Sequence, residues 1–387
     1  MDVRALRDRM AAREADYVAA LGAMVNVDCG SYSPAGVNVI ADMAESRFRD
    51  GGWAVERIPH VPDDGAAQLG DLVIGRRSGT GRTRVLLIGH MDTVFDDGTA
   101  AARPFRVEDG VARGPGVSDM KGGLLAGFFA IETLQAAGLE GYGAVTYVCN
   151  PDEEIGSPFS RPLIHELAGQ HDVAFVLEGA RENGDIVSAR KGVTDYDVEI
   201  RGRAAHAGVE PERGRHAVLQ GAHLILALQG LNGRWPGVTV NVGVVEGGTR
   251  PNVVPDACRL QIDLRSPQRD TLEEAERAVA EICAASPTVD GTTVEVHAAA
   301  WHRPMERSAA SERLVGLAAG FAAELGFDLH DAATGGASDA NTTSAAGTPT
   351  LDGLGPIGGD DHAPGEWLDL ASVVPRTTML AALIASS

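Results

Sequence analysis

Six residues combine the types and the placing that metal-assisted chemistry needs. His90 follows the apolar run RVLLIG, Glu153 and Glu154 follow GAVTYVCN, and Glu178 follows DVAFVL. His362 comes a short glycine-rich loop after TPTLDGLG, and Asp119 lies in GPGVSDMKGG just ahead of a helical pattern. Short apolar runs without polar alternation read as strands buried on both faces. In an open parallel sheet, ligands bind beyond the carboxyl ends of the strands, so these residues are expected to share one crevice. Taken singly, each would be an ordinary solvated group; their recurrence at strand ends carries the inference. Two histidines and several carboxylates, with no cysteine, suit zinc, and also cobalt or manganese. Two ions about 3.5 to 4 Å apart need a bridging carboxylate, and the set can supply one with an acid to spare. Because Glu153 and Glu154 are neighbours, one can ligate while the other takes a proton from water. Asp92, two residues after His90, has the spacing to hold the imidazole and fix its tautomer.

The elements that must position these side chains are legible in the apolar pattern. Up to about residue 190, strand-like runs alternate with helical stretches such as LLAGFFAIETLQAAG, the layout of an α/β domain with a mostly parallel sheet. From Asp195 the order becomes strand, helix, strand, strand, helix, strand, a split βαβ arrangement of the ferredoxin-like kind. After Ser308 the chain returns to helix, strand and helix. The expected organisation is a discontinuous catalytic domain, residues 1–194 and 309–387, interrupted by an inserted α+β domain, residues 195–308. His206, in RGRAAHAG, falls on the turn after the inserted domain's first strand, among small residues that let another surface approach.

Composition limits the partners. The 54 acidic residues against 33 basic ones give a formal charge of −21, which disfavours nucleic acid and anionic membranes. Four scattered cysteines without a CxxC pair argue against disulfides and thiolate-bound zinc. The N-terminal stretch is an amphipathic helix pattern, not a signal peptide, and no apolar run is long enough to span a bilayer, so a cytoplasmic protein is expected.

The residues resemble a known family. HMDTVF at 90–95, GPGVSDMKGG at 114–123, PDEEIGS at 151–157, LEG at 177–179, RAAHAG at 203–208, NVVPD at 252–256 and GGASDAN at 335–341 are similar, in order, to motifs of the M20 metallopeptidases, nearest to the glutamate carboxypeptidase (carboxypeptidase G2-like) branch. The resemblance implies two zinc ions per subunit bridged by Asp119. One is completed by His90 and Glu178, the other by Glu154 and His362. Asp92 would orient His90, Glu153 would be the general base, and the Asp119–Met120 peptide would be cis. The inserted domain would be a lid and dimerisation domain, with His206 stabilising the oxyanion across a homodimer. Asn252 and Arg265, with Arg303 as a further candidate, would hold the substrate's carboxylate.

The function implied is hydrolysis of an amide bond beside a free carboxylate, in a small molecule or short peptide, with release of a C-terminal amino acid. An N-acyl, N-carbamoyl or N-succinyl amino acid amidohydrolase is the alternative within the same chemistry. A catalytically inactive binding homologue is the alternative outside it, and it predicts a decayed catalytic set, whereas the set here is complete.

Overall fold

Val85, Leu86, Leu87 and Ile88 have no exposed surface, which explains why this run shows no polar alternation: both faces of its strand are covered. Full burial of each such side chain contributes about 1.5–3 kcal/mol. In this computed structural model, which describes residues 1–387 apart from the side chains of 299–301, the run is strand β3, Arg84–His90. Around it lie β1 (Ala54–Ile58), β2 (Leu72–Ser78), β4 (Ala144–Asn150) and β5 (Val173–Val176). The sheet order is β1-β2-β4-β3-β5, closed by the short strand Thr350–Leu351. The strands from β4 to Thr350–Leu351 run parallel, and β1 and β2 form an antiparallel edge. The helix Gly123–Ala137 is apolar nearly all round and packs against the C-terminal helix Leu370–Ser386, so it is a core helix and not a surface one. The expected α/β class with a mostly parallel central sheet is what forms.

The chain divides into two compact units. Unit 1 is Met1–Ser188, Arg307–Ala333 and Ser338–Ser387; unit 2 is Ala189–Glu306 with Thr334–Ala337. The chain thus enters unit 2 at Ala189, ahead of the expected Asp195, because the first strand of that unit already begins at Gly192.

Unit 2 contains β6 (Gly192–Arg201), β7 (Thr239–Gly247), β8 (Ala257–Ser266) and β9 (Thr293–His302), all antiparallel, in the order β7-β8-β6-β9. Along β8, exposed and buried positions alternate. Leu260, Ile262 and Leu264 face the helices Ala217–Gln229 and Arg269–Ala284, while the other face stays polar. This is the split βαβ arrangement expected of the inserted segment.

Candidate active site

The three parallel strands β3, β4 and β5 each deliver a ligand-type residue at or just past their carboxyl ends. His90 closes β3 with no side-chain exposure. Three residues beyond β4, the turn Glu153–Ile155 carries Glu153 and Glu154, and Glu178 follows β5 by two residues. Asp119 sits where the chain turns into the core helix, its backbone away from helical angles and its peptide to Met120 cis. His362 comes from a loop and has a left-handed φ of 63°.

These side chains meet around Asp119. One carboxylate oxygen lies 3.0 Å from Nε2 of His90, and the other lies 3.0 Å from Nε2 of His362. Glu154 is 3.1 Å from the His362 ring, and Glu178 is 3.8 Å from the His90 ring. The cluster therefore falls into two halves, His90 with Glu178 and His362 with Glu154, that share one carboxylate. Glu153 belongs to the same cluster, its carboxylate beside His90 and Glu178.

The electrostatics follow from crowding acids in a buried place. Burial raises Glu178 to about 8, with the Asp119 charge adding to it against the opposing hydrogen bond from His90. Burial, joined by the Glu178 charge, pushes Glu153 well above the carboxylate range. Hydrogen bonds to Asp119 and Glu154 raise His362 to about 10. Asp119 is driven the other way. Burial opposes its charge, but hydrogen bonds from His362 and His90 hold it well below the usual range. Like charges packed this closely call for cations.

The donor set fits such ions. Its nitrogen and oxygen donors, without a thiolate, suit zinc, cobalt or manganese. The two oxygens of Asp119 each face a different half of the cluster, as a bridging carboxylate must. Oε1 of Glu154 is buried and has no hydrogen-bond partner among the described residues, so an acceptor is left there for a cation to satisfy.

The surrounding residues hold these groups in place. Nδ1 of His90 bonds the backbone carbonyl of Asp92 at 2.9 Å, with the Asp92 carboxylate at 3.4 Å. That carboxylate instead accepts the Ser31 hydroxyl at 2.6 Å and the amides of Glu153 and Glu154 at 3.1 and 3.2 Å. Asp92 thus fixes the turn carrying both glutamates as well as the imidazole. Asp339, from the GGASDAN motif, spans that turn by accepting from Asn150 at its start (2.7 Å) and Ser157 at its end (2.6 Å). Ser31 and Asp339 were not among the residues expected from sequence. Asp339 lay inside a quoted motif without a role, and no spacing signal marked Ser31.

In unit 2 the structure brings together some of the expected residues and separates others. His206 and Asn252 are exposed and adjacent: the amide of Ala207 bonds the Asn252 carbonyl at 3.0 Å, and His206 pairs with Val253. Arg265 and Arg303 lie at the other end of the sheet, where β8 and β9 pair with Val193. Eight residue steps along β6 separate Val193 from Arg201, roughly 26 Å of strand. Arg265 bonds Asp263 in a fork at 2.9–3.0 Å and the Gly335 carbonyl at 2.7 Å, and Arg303 bonds Glu276.

Fold and site together define a hydrolase of the metal-dependent amide-cleaving class. The model of peptidase family M20/M25/M40 matches residues 86–386, and the chain belongs to that family. Carboxypeptidase G2 of Pseudomonas sp. (strain RS-16) is 29% identical over 364 residues, covering 93% of this chain and 86% of that protein. An acetylornithine deacetylase of Myxococcus xanthus is 30% identical over 260 residues, covering 64% and 66%. Among solved structures, an aminopeptidase PepT from Bacillus cereus has a TM-score of 0.79 at 24% identity, covering 96% of this chain and 98% of that one. An M20 family metallo-carboxypeptidase from Sulfolobus solfataricus has a TM-score of 0.75 at 15% identity, covering 95% and 98%. Like its relatives, the protein is an enzyme acting on C–N amide bonds. No helix among the described residues is long and apolar enough to cross a membrane.

Proposed function

We propose that the protein is a di-zinc hydrolase that cuts an amide bond next to a free carboxylate and releases a C-terminal amino acid, as a glutamate carboxypeptidase does. The observation that carries this reading is Asp119 between two histidines, each 3.0 Å from a different oxygen of its carboxylate. His90, Asp119 and Glu178 would hold one ion, and His362, Asp119 and Glu154 the other. When bound, the ions supply Lewis acidity that polarises the amide carbonyl and lowers the pKa of water.

The rest of the chemistry belongs to this chain. Glu153 takes a proton from the attacking water and delivers it to the leaving amine, a role that suits an acid whose pKa is raised by burial. Asp92 keeps the Glu153 turn and the His90 ring in register through the contacts described above. His206 stabilises the oxygen of the tetrahedral species, and Arg265, with Asn252 and Arg303, recognises the carboxylate.

Asn252 and Arg265 stand at opposite ends of the unit 2 sheet, so one substrate engages both only if two chains contribute. This supports a homodimer formed through the inserted domain, with His206 and Asn252 reaching into the partner's site. Exposed Leu226 and Val245, on a helix and an edge strand of unit 2, offer apolar surface for it. The likeness to an acetylornithine deacetylase favours a second reading, in which the acyl half is a small group on an amino acid.

The test is a pair of substrates, the free acid and its carboxamide, drawn from pteroyl-glutamates, glutamyl and aspartyl dipeptides and N-acyl amino acids. The free acid should be cleaved with kcat/KM higher by at least about 10². Arg265→Ala should lower that ratio. Equal discrimination by parent and variant would remove Arg265 as the anchor, and a parent that prefers the amide would overturn the reading.

A further inference from the structure

Glu366 lies four residues after His362, with its side chain almost wholly buried. Its carboxylate accepts three backbone hydrogen bonds from the segment that carries Asp119. Oε2 takes the amide of Gly116 at 2.8 Å, and Oε1 takes the amides of Ser118 and Asp119 at 2.8 and 3.0 Å. The left-handed turn at Gly116, φ 73°, belongs to this segment, whose converging N–H groups form a concavity of the kind that binds anions. Here the anion is built into the chain.

Both partners of this contact are otherwise tied down. Trp367 pairs with Arg113, which places Glu366 beside the start of the Asp119 segment. Turn hydrogen bonds from Ala363 to Asp360 (2.9 Å) and from Glu366 to Ala363 (3.2 Å) fix the loop holding His362.

We propose that Glu366 is a positioning residue that clasps the Asp119 segment to the His362 loop, and so sets the geometry in which one carboxylate serves both halves of the metal site. The inference rests on the metal site proposed above. The amide of Asp119 belongs to the same residue as its carboxylate. A rotation of the Ser118–Asp119 peptide would therefore carry the carboxylate oxygens away from one histidine or the other. Three backbone hydrogen bonds to the one carboxyl group oppose that rotation. Glutamine keeps an oxygen for Ser118 and Asp119 but turns an amide donor toward the Gly116 N–H. Alanine leaves all three donors unpaired.

The test is calorimetric titration of metal-stripped full-length protein with Zn²⁺, and Co²⁺ spectra of the same samples, for the parent, Glu366→Gln and Glu366→Ala. The parent should take up two equivalents. Glu366→Gln should bind roughly 10- to 100-fold more weakly, the range for residues that orient ligands, and should show an altered cobalt d–d spectrum, with the larger loss in Glu366→Ala. A merely structural role would lower the thermal midpoint and leave the affinity of the folded fraction unchanged. A folded Glu366→Gln variant within about threefold of the parent affinity would overturn the proposal. A measurement without substitution covers the case in which the variants do not fold. In the metal-free parent, the amides of Gly116, Ser118 and Asp119 should exchange hydrogen slowly, and exchange at the rate of an open loop would overturn the clasp. A parent that binds no zinc would instead overturn the metal-site reading, and the amide protection would still report on the clasp by itself.

Discussion

Glu153 and Glu154 share one turn, and their surroundings differ. Glu154 has an oxygen 3.1 Å from the His362 ring and a side chain only 4% exposed, so it is held as a ligand would be. Burial and the Glu178 charge hold Glu153 toward its protonated form, the condition of an acid that shuttles a proton. Glu153→Ala should therefore keep its metal near the parent level while turnover falls by about 10² to 10⁴, the usual worth of a general base. Metal analysis beside steady-state rates checks this. Loss of one metal equivalent would mean that the two glutamates exchange roles. The positioning residues work by a different physics. Asp92, Asp339 and Glu366 spend their carboxylates on backbone amides and on serine and asparagine donors, and so fix the segments that carry the ligands.

At the scale of elements, the buried parallel strands were the most legible part of the sequence. Their runs are continuous because both faces are covered, and a continuous run ending in His or Glu is easy to see. The antiparallel strands β1 and β2 were not read. In AVERI no residue is fully buried, and LVIGRRS ends in polar residues, so neither gives the signature of a central strand. Glu366 was also missed, because a buried glutamate that binds amides has the same sequence signature as a solvated one. Asn252 and Arg265 were expected from the family resemblance to hold the carboxylate together; in this chain Arg265 lies near the end of β8, while Asn252 precedes the start of that strand by five residues. The C-terminal helix Leu370–Ser386 conceals another such group. Arg376 is buried and donates to the carbonyls of Gly355, Gly184 and Gly353 at 2.6–2.7 Å, which ties the loop after Leu351 to this helix. Arg376→Met would strand three carbonyls and should cost about 3 kcal/mol or more. The corresponding fall in thermal midpoint is roughly 4 to 5 °C, and a change below about 1 °C would contradict the assignment.

At the scale of the whole molecule, the proposed reaction draws on two chains. His206 and Asn252 share one end of the unit 2 sheet, and Arg265 and Arg303 share the other. If His206 serves the partner's site, mixing inactive Glu153→Ala with inactive His206→Ala subunits should restore activity, since one site in each hybrid then has both groups intact. The recovered rate should reach about a quarter of the parent's when equal amounts exchange fully and each repaired site works at the normal rate. Mixtures shown to exchange subunits yet still inactive would exclude action in trans. With a charge of −21, the proposed carboxylate substrate would need local positive charge at the site, because the overall field repels anions. Bound cations would supply much of it. The most direct test of the account is therefore the metal content of reconstituted protein, measured by elemental analysis for the parent and for Asp119→Asn. The account predicts two equivalents per chain in the parent and loss of tight binding at both positions in the variant. One equivalent or none in the parent, or an unchanged two in Asp119→Asn, would contradict it.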